Sequence, residues 1–203
     1  MFITFEGIDG SGKTTQINKL SERLTNLGYN VLTLREPGGN VISEKIRETL
    51  LSAGNDITPC AELLLFVASR AQLVEKVIRP ALLQGKLVIC DRYIDSSVAY
   101  QGYGRGIPIE DILICNKIAT RNLVPKITFF LDLPPIIASV RAINRSAENL
   151  DRIEQEGEIF FDKARQGYIQ ISKNEPERFI MLNGSENPDL IHKNIWNYIS
   201  KII

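Results

Sequence analysis

The sequence reads as an α/β protein, a five-stranded parallel sheet with helices on both faces, and two observations predict it. Short apolar runs at residues 2–6, 31–34, 87–90, 127–131 and 179–182 alternate with longer stretches of helical periodicity, the order that parallel βαβ crossovers require. The first run leads directly into "EGIDGSGKTT", after which Ile17, Leu20, Leu24 and Leu27 recur at helical spacing. Strand, glycine loop and helix together are the setting of a phosphate-binding loop.

Each element then has its own signal. The spacing Gly7-x4-Gly12-Lys13-Thr14 is that of a P-loop, GxxxxGK[ST]. Small residues let the backbone N–H groups of Gly7, Ile8, Asp9, Gly10, Ser11, Gly12, Lys13, Thr14 and Thr15 approach a polyphosphate, and the N-terminus of the following helix adds its dipole. Lys13 is expected to reach the β- and γ-phosphates from a solvent-facing loop, and the Thr14 hydroxyl to hold Mg²⁺. Gly28 and Gly85 follow helical runs as C-terminal caps do, while Thr58-Pro59 and Pro108 mark helix starts. Pro80 should end or kink the long helix before it.

The second strand ends in "REPGGN", whose proline and glycines fix a tight turn. The third ends in "DRYIDSSVAYQG", with Asp91 directly after the apolar "LVIC". A carboxylate there stands in a Walker-B-like position, suited to Mg²⁺ or its water, with a cap or salt bridge as the plainer reading. Arg92, beside it, would face a phosphate acceptor with a forked guanidinium. One polar stretch, "RAINRSAENLDRIEQE" at residues 141–156, carries Arg141, Arg145 and Arg152. It fits a solvated helical face or a lid that closes arginines onto phosphates.

The composition excludes several classes. At 203 residues the chain has the size of one domain, 1–203, and 24 basic against 24 acidic residues leave no net charge with which to bind a long nucleic acid. Cys60, Cys90 and Cys115 form no CxxC pair, and the single histidine, His192, lies beside the apolar stripe of a terminal helix. These suit free thiols in a reducing cytoplasm rather than a metal site. No run reaches transmembrane length. A GTP switch would call for NKxD, and "NKIA" at Asn116 lacks the aspartate. Within kinases, an adenylate- or uridylate-type acceptor is the rival reading.

"FEGIDGSGKTT", "REPGG", "FVASRAQLV", "DRYIDSSVAYQG" and "LDRIEQE" occur in the order and at the spacing of bacterial thymidylate kinases, and the resemblance covers nearly the whole chain. It implies a homodimeric cytoplasmic enzyme of the nucleoside monophosphate kinase fold, with a short helical lid at about residues 141–156, that phosphorylates dTMP to dTDP with ATP and Mg²⁺. Carried onto this sequence, it makes Phe66 the aromatic on which thymine stacks and Arg70 a donor to a base carbonyl or phosphate. Ser96, Ser97 and Gln101 fall at the pyrimidine edge, Tyr100 at the sugar 2′ position, and Arg47 and Arg92 on the acceptor phosphate. Glu36 and Pro37 lie on the acceptor side, and Asp9 resembles the P-loop acid near the acceptor sugar. Family members that lack an arginine in the P-loop, as Asp9-Gly10-Ser11-Gly12 does, place arginines in the lid, so Arg152 is implied as catalytic with Arg141 and Arg145 on ATP.

Overall fold

The computed structural model describes residues 1–145 and 150–203, with the side chains of 142–145 outside that description. Its five strands are β1 (Phe2–Glu6), β2 (Val31–Arg35), β3 (Leu87–Asp91), β4 (Ile127–Asp132) and β5 (Phe179–Asn183), all parallel in the order β2-β3-β1-β4-β5. The helices are α1 (Lys13–Asn26), α2 (Val41–Leu51), α3 (Pro59–Leu73), α4 (Arg79–Leu83), α5 (Ile94–Ser97), α6 (Ile109–Thr120), α7 (Pro135–Arg145), α8 (Glu158–Asn174) and α9 (Pro188–Ile199).

The predicted sheet is present, and its strands differ from the apolar runs in one respect. β2 to β5 each extend one residue further, to Arg35, Asp91, Asp132 and Asn183. Hydropathy stops at a polar side chain, but the ladder does not: Arg35 is in register with Asp91, and Asp132 with Asn183. The C-terminal edge of the sheet is therefore a row of polar residues, where open α/β sheets hold their ligands.

Alternation along the strands sends side chains to two cores. Ile3, Phe5, Ile89 and Phe129 pack with Ile17, Leu20 and Leu24 of α1 and Ile191, Ile195 and Ile199 of α9. On the other face Phe2, Val88 and Cys90 meet Leu73, Val74 and Ile78, and the Phe130 ring stacks on Tyr168 of α8 at 4.9 Å. Truncating a fully buried ring such as Phe5 to alanine would cost about 3–5 kcal/mol, enough to threaten the fold of an ordinary domain.

Pro80 neither ends nor follows a terminated helix. α3 passes into a π-helical turn, Val74–Ile78, and then into α4, with Pro80 inside its first turn. A proline lacks the N–H and its ring crowds the carbonyl four residues back, so a wider turn just before it relieves both problems. A second π-helical stretch, Val98–Gly104, continues α5 and carries the second half of the DRY segment.

Candidate active site

The loop from β1 to α1 is a backbone cradle. Gly7, Gly10 and Gly12 have φ of 137°, 83° and 98°, conformations that side chains resist. A Cβ at Gly10 would also stand 2.5 Å from the Ala138 carbonyl oxygen, so α7 packs against the loop only because the side chain is absent. Ile8 is buried with Leu133 and Ala138, which anchors the loop from below. Gly10 to Thr15 line an open cleft together with Arg35, Asp91, Arg92 and Arg141, and Thr14 and Thr15 are exposed in it.

Lys13 differs from the solvent-facing residue expected. It is 6% exposed, and its Nζ donates to the carbonyls of Gly7 at 2.9 Å and Ile8 at 3.2 Å. Burial, followed by the charge of Arg92, lowers its pKa. The ammonium closes the loop on itself while lying at the floor of the cleft, because the backbone turns around its stem. Asp91 Oδ1 is buried with no hydrogen-bond partner among the described residues, although Asp91 lines the same cleft. Arg141 reaches over the loop, donating to Gly184 O at 3.1 Å and Gly10 O at 3.5 Å.

A second, smaller cavity adjoins the first. Asp9, Glu36, Pro37, Arg47, Phe66, Arg92, Ser96, Ser97, Tyr100 and Gln101 line it, so ten of the residues predicted for the acceptor side converge there. Asp9, Glu36, Arg47 and Arg92 line both spaces and form the border between them. Arg92 holds that border: its Nη2 donates to both oxygens of Asp9 at 2.9 Å, and its Nη1 to Gly7 O at 2.9 Å. Its φ of 70° is left-handed, a conformation that costs a non-glycine residue about 1 kcal/mol or more and turns the guanidinium from the strand end toward the loop. Arg47 Nη1 donates to Pro37 O at 2.9 Å.

Phe66 is half-buried and belongs to none of the hydrophobic clusters of the described residues, so a ring face borders the cavity. Tyr100 packs edge-on against Phe160 and Phe161, under the Arg92 guanidinium at 5.0 Å. Its hydroxyl is buried without a partner among the described residues, and burial raises its pKa well above that of an ordinary tyrosine.

Two predicted residues stand elsewhere. Arg70 is 1% exposed and lies behind the cavity wall, where it donates to Glu36 at 2.7 Å, Ser97 at 2.8 Å, Asn116 at 2.6 Å and the Tyr93 carbonyl at 2.9 Å. It holds two lining residues in place instead of lining the cavity itself, and the asparagine of "NKIA" serves this arginine. Burial raises the Glu36 carboxyl to about 7 against the pull of Arg70. Arg152 donates to Glu62 at 2.6 Å and to Leu50 O at 2.8 Å, and lines neither the cleft nor the cavity, whereas its neighbours Asp151 and Ile153 line the cavity. The side chain of Arg145 lies outside the described residues, as does part of the segment 141–156.

Sequence reasoning missed Leu51, Asp151 and Ile153 of the cavity lining, and two buried acids. Glu6 accepts from the Tyr93 N–H, Ser96 and Tyr168 at 2.6–2.8 Å, and burial, with Asp95 nearby, raises its carboxyl to about 7. Glu62 is fully buried on α3, eight residues before Arg70 and four before Phe66. That spacing was visible: 62, 66 and 70 share one helix face, and an acid on an apolar helix aligned with two site residues is a signal.

The loop, the paired cavities and the arginines at their border make a place where two anionic groups can meet in line, shielded from mutual repulsion. A thymidylate kinase family profile matches residues 5–195. The chain is 47% identical over 202 residues to a thymidylate kinase of Thermoanaerobacter sp. (strain X514), covering 100% of this chain and 98% of the relative. It is 50% identical over 202 residues to a thymidylate kinase of Prosthecochloris aestuarii, covering 96% and 91%. The crystal structure of thymidylate kinase from Ehrlichia chaffeensis superposes with a TM-score of 0.80 at 36% identity, covering 98% of each chain.

Proposed function

The chain belongs to the thymidylate kinase family, enzymes that phosphorylate dTMP to dTDP, and on that premise we propose that ATP enters the P-loop cleft and dTMP the adjoining cavity. The observation that carries this assignment is the border: Asp9, Arg47 and Arg92 line both spaces, so a phosphate from either side meets the same cations.

In this reading the backbone N–H groups of Gly10 to Thr15 bind the donor phosphates, and Lys13 gives up a carbonyl contact to meet the β- and γ-oxygens. Arg92 and Arg47 hold the acceptor phosphate, with Asp9 aligning Arg92. Phe66 stacks on the base, while Ser96, Ser97 and Gln101 read its edge. Tyr100 packs where a 2′-hydroxyl would lie. Residues 141–156 act as a lid within one domain, with Arg141 already against the loop. Arg152 anchors the far end of the lid on Glu62, and reaches the reacting phosphate only by leaving that carboxylate. Arg70 acts through Glu36 and Ser97.

Mg²⁺ fits the donor cleft. Asp91 presents a buried oxygen without a partner among the described residues, and Thr14 an exposed hydroxyl. Among the described residues no group of three acidic, histidine or cysteine side chains is placed to hold a metal ion by itself. Bound there, the ion would neutralise charge on the transferring group.

We also propose a homodimer in the cytoplasm. Leu64 on α3 and Ile114 and Ile118 on α6 are 53%, 58% and 72% exposed on helices that pack against each other, an apolar surface a second copy would cover. Among the described residues no helix is long and apolar enough to cross a membrane. The assignment of the two spaces is tested by ADP release coupled to dTMP, with and without chelator. Release that needs neither dTMP nor a divalent ion would refute it.

A further inference from the structure

Glu62 lies between Gln101 of the cavity lining and Arg152 of the segment that follows residue 150. Its carboxylate accepts four hydrogen bonds: from Gln101 Nε2 at 2.9 Å and Arg105 Nε at 3.1 Å on one oxygen, and from Arg105 Nη2 at 3.0 Å and Arg152 Nη2 at 2.6 Å on the other. The side chain is fully buried, and burial works against its ionisation, but the donors of Arg105, Gln101 and Arg152 outweigh burial and hold its pKa below the usual glutamate value. Arg105 also pairs with Glu156, and the Arg152 N–H donates to Leu51 O at 3.0 Å, so the same network ties down residues 151–156.

The consequence is chemical. An ionised carboxylate only accepts, so the side of the Gln101 amide that faces Glu62 must be its NH₂. The carbonyl oxygen then takes the other side of the amide from Glu62, where no donor among the described residues reaches it, and Gln101 lines the cavity together with Phe66. Thymine and uracil carry an N–H at ring position 3; cytosine carries a lone pair there. Only the first pair can satisfy a carbonyl oxygen, and a buried acceptor facing a lone pair is left unpaired.

Resting on the reading that dTMP occupies this cavity, we propose that Glu62 is a positioning residue: by fixing the Gln101 amide with its carbonyl toward the base, it makes the site take thymine and uracil nucleotides and reject cytosine nucleotides. Glu62 lines neither cavity, so it reaches the base only through Gln101, while its bonds to Arg105 and Arg152 bear on every acceptor alike. A merely structural Glu62 would steady α3, the π-helical stretch and the lid segment for all acceptors alike.

The test is kcat/KM for dTMP, dUMP and dCMP at saturating ATP, in the wild type and in Glu62→Gln, beside a thermal melt. A glutamine offers a donor as well as an acceptor, so both orientations of Gln101 become satisfied. The dTMP to dCMP ratio should fall at least about tenfold in the variant, while the dTMP to dUMP ratio and the KM for ATP stay within about twofold. A folded variant in which all three acceptors fall together, with the dTMP to dCMP ratio unchanged, would overturn the proposal. A wild type that does not prefer dTMP to dCMP would instead remove the substrate reading beneath it.

If Glu62→Gln does not fold, the wild-type protein still decides. The Gln101 side-chain NH₂ signals, assigned by their loss in Gln101→Leu, should remain protected from solvent exchange and move little when dTMP is added. Signals that shift strongly on addition would place the nitrogen on the base and refute the assignment.

Discussion

The P-loop cleft and the cavity beside it share the residues at their border, yet they are built by different means. The floor of the cleft is backbone: one stretch, Gly7 to Thr15, folds around a lysine that it buries. The cavity is made of side chains drawn from residues 9 to 153, set by a buried ion pair in which Arg70 holds Glu36 and by a buried hydrogen bond from Gln101 to Glu62. A contiguous backbone site tolerates any guest with the right phosphates. Specificity has to come from the other half, whose shape depends on partners far apart in sequence.

The largest effect expected of this contrast is at the cleft. Lys13→Met should lower kcat by a factor of about 10³ or more, and should cost no more than about 1 kcal/mol in the melt, because Gly7 O keeps Arg92 and Ile8 O keeps the Ser11 N–H as donors. Single-turnover transfer at the wild-type rate would remove the loop from the mechanism.

Arg141 and Arg152 sharpen the comparison, because Arg141 donates to the P-loop at Gly10 O and Arg152 to Glu62 behind the cavity. Arg141→Ala should raise the KM for ATP, and Arg152→Ala that for dTMP, each about tenfold, with kcat falling in both if lid closure assembles the site. The same kinetic signature from both variants would erase the distinction.

A smaller effect is expected at Tyr100. Its ring is packed but its hydroxyl is unpartnered among the described residues, so Tyr100→Phe should change activity and stability little. Tyr100→Ala should narrow the preference for dTMP over its ribo analogue, measured as a ratio of kcat/KM. An unchanged ratio would make the ring a packing element.

The smallest effect concerns pH. Glu6 and Glu36 are raised to about 7 by burial, so between the ordinary value of 4.5 and about 7 the folded protein binds protons that the unfolded chain has released. Stability should therefore fall as pH rises through that window, by up to about 1.4 kcal/mol per pH unit for each group. Glu62 and Glu44, held below 4.5, act with the opposite sign at lower pH, and His192, which burial holds below 6.5, opposes the fall in part of the window. Glu36→Gln should make the slope shallower in urea melts, and an unaltered slope would assign it to other groups.

What the sequence discloses follows the same division. The strands and the P-loop were legible because hydropathy period and glycine spacing are local, and the polar strand ends Arg35, Asp91, Asp132 and Asn183 escaped only because they pair in the ladder without being apolar. Resemblance supplied most of the cavity lining. It did not supply which side chains touch which: the burial of Lys13, the withdrawal of Arg70 behind Ser97 and the capture of Arg152 by Glu62 arise from contacts spanning up to 90 residues. Pattern reading has no access to such partners, although an acid at 62 on the face of Phe66 and Arg70 marked the place.

The central claim is that the backbone cleft takes ATP while the side-chain cavity selects the acceptor, and its most direct measurement is kcat/KM for dTMP, dUMP, AMP, UMP and CMP with ATP fixed. The geometry predicts dTMP first, and dUMP weaker by about tenfold, since one methyl against Phe66 accounts for about 1 kcal/mol or slightly more. AMP, UMP and CMP should be used far less. Equal kcat/KM for dTMP and AMP would contradict the account.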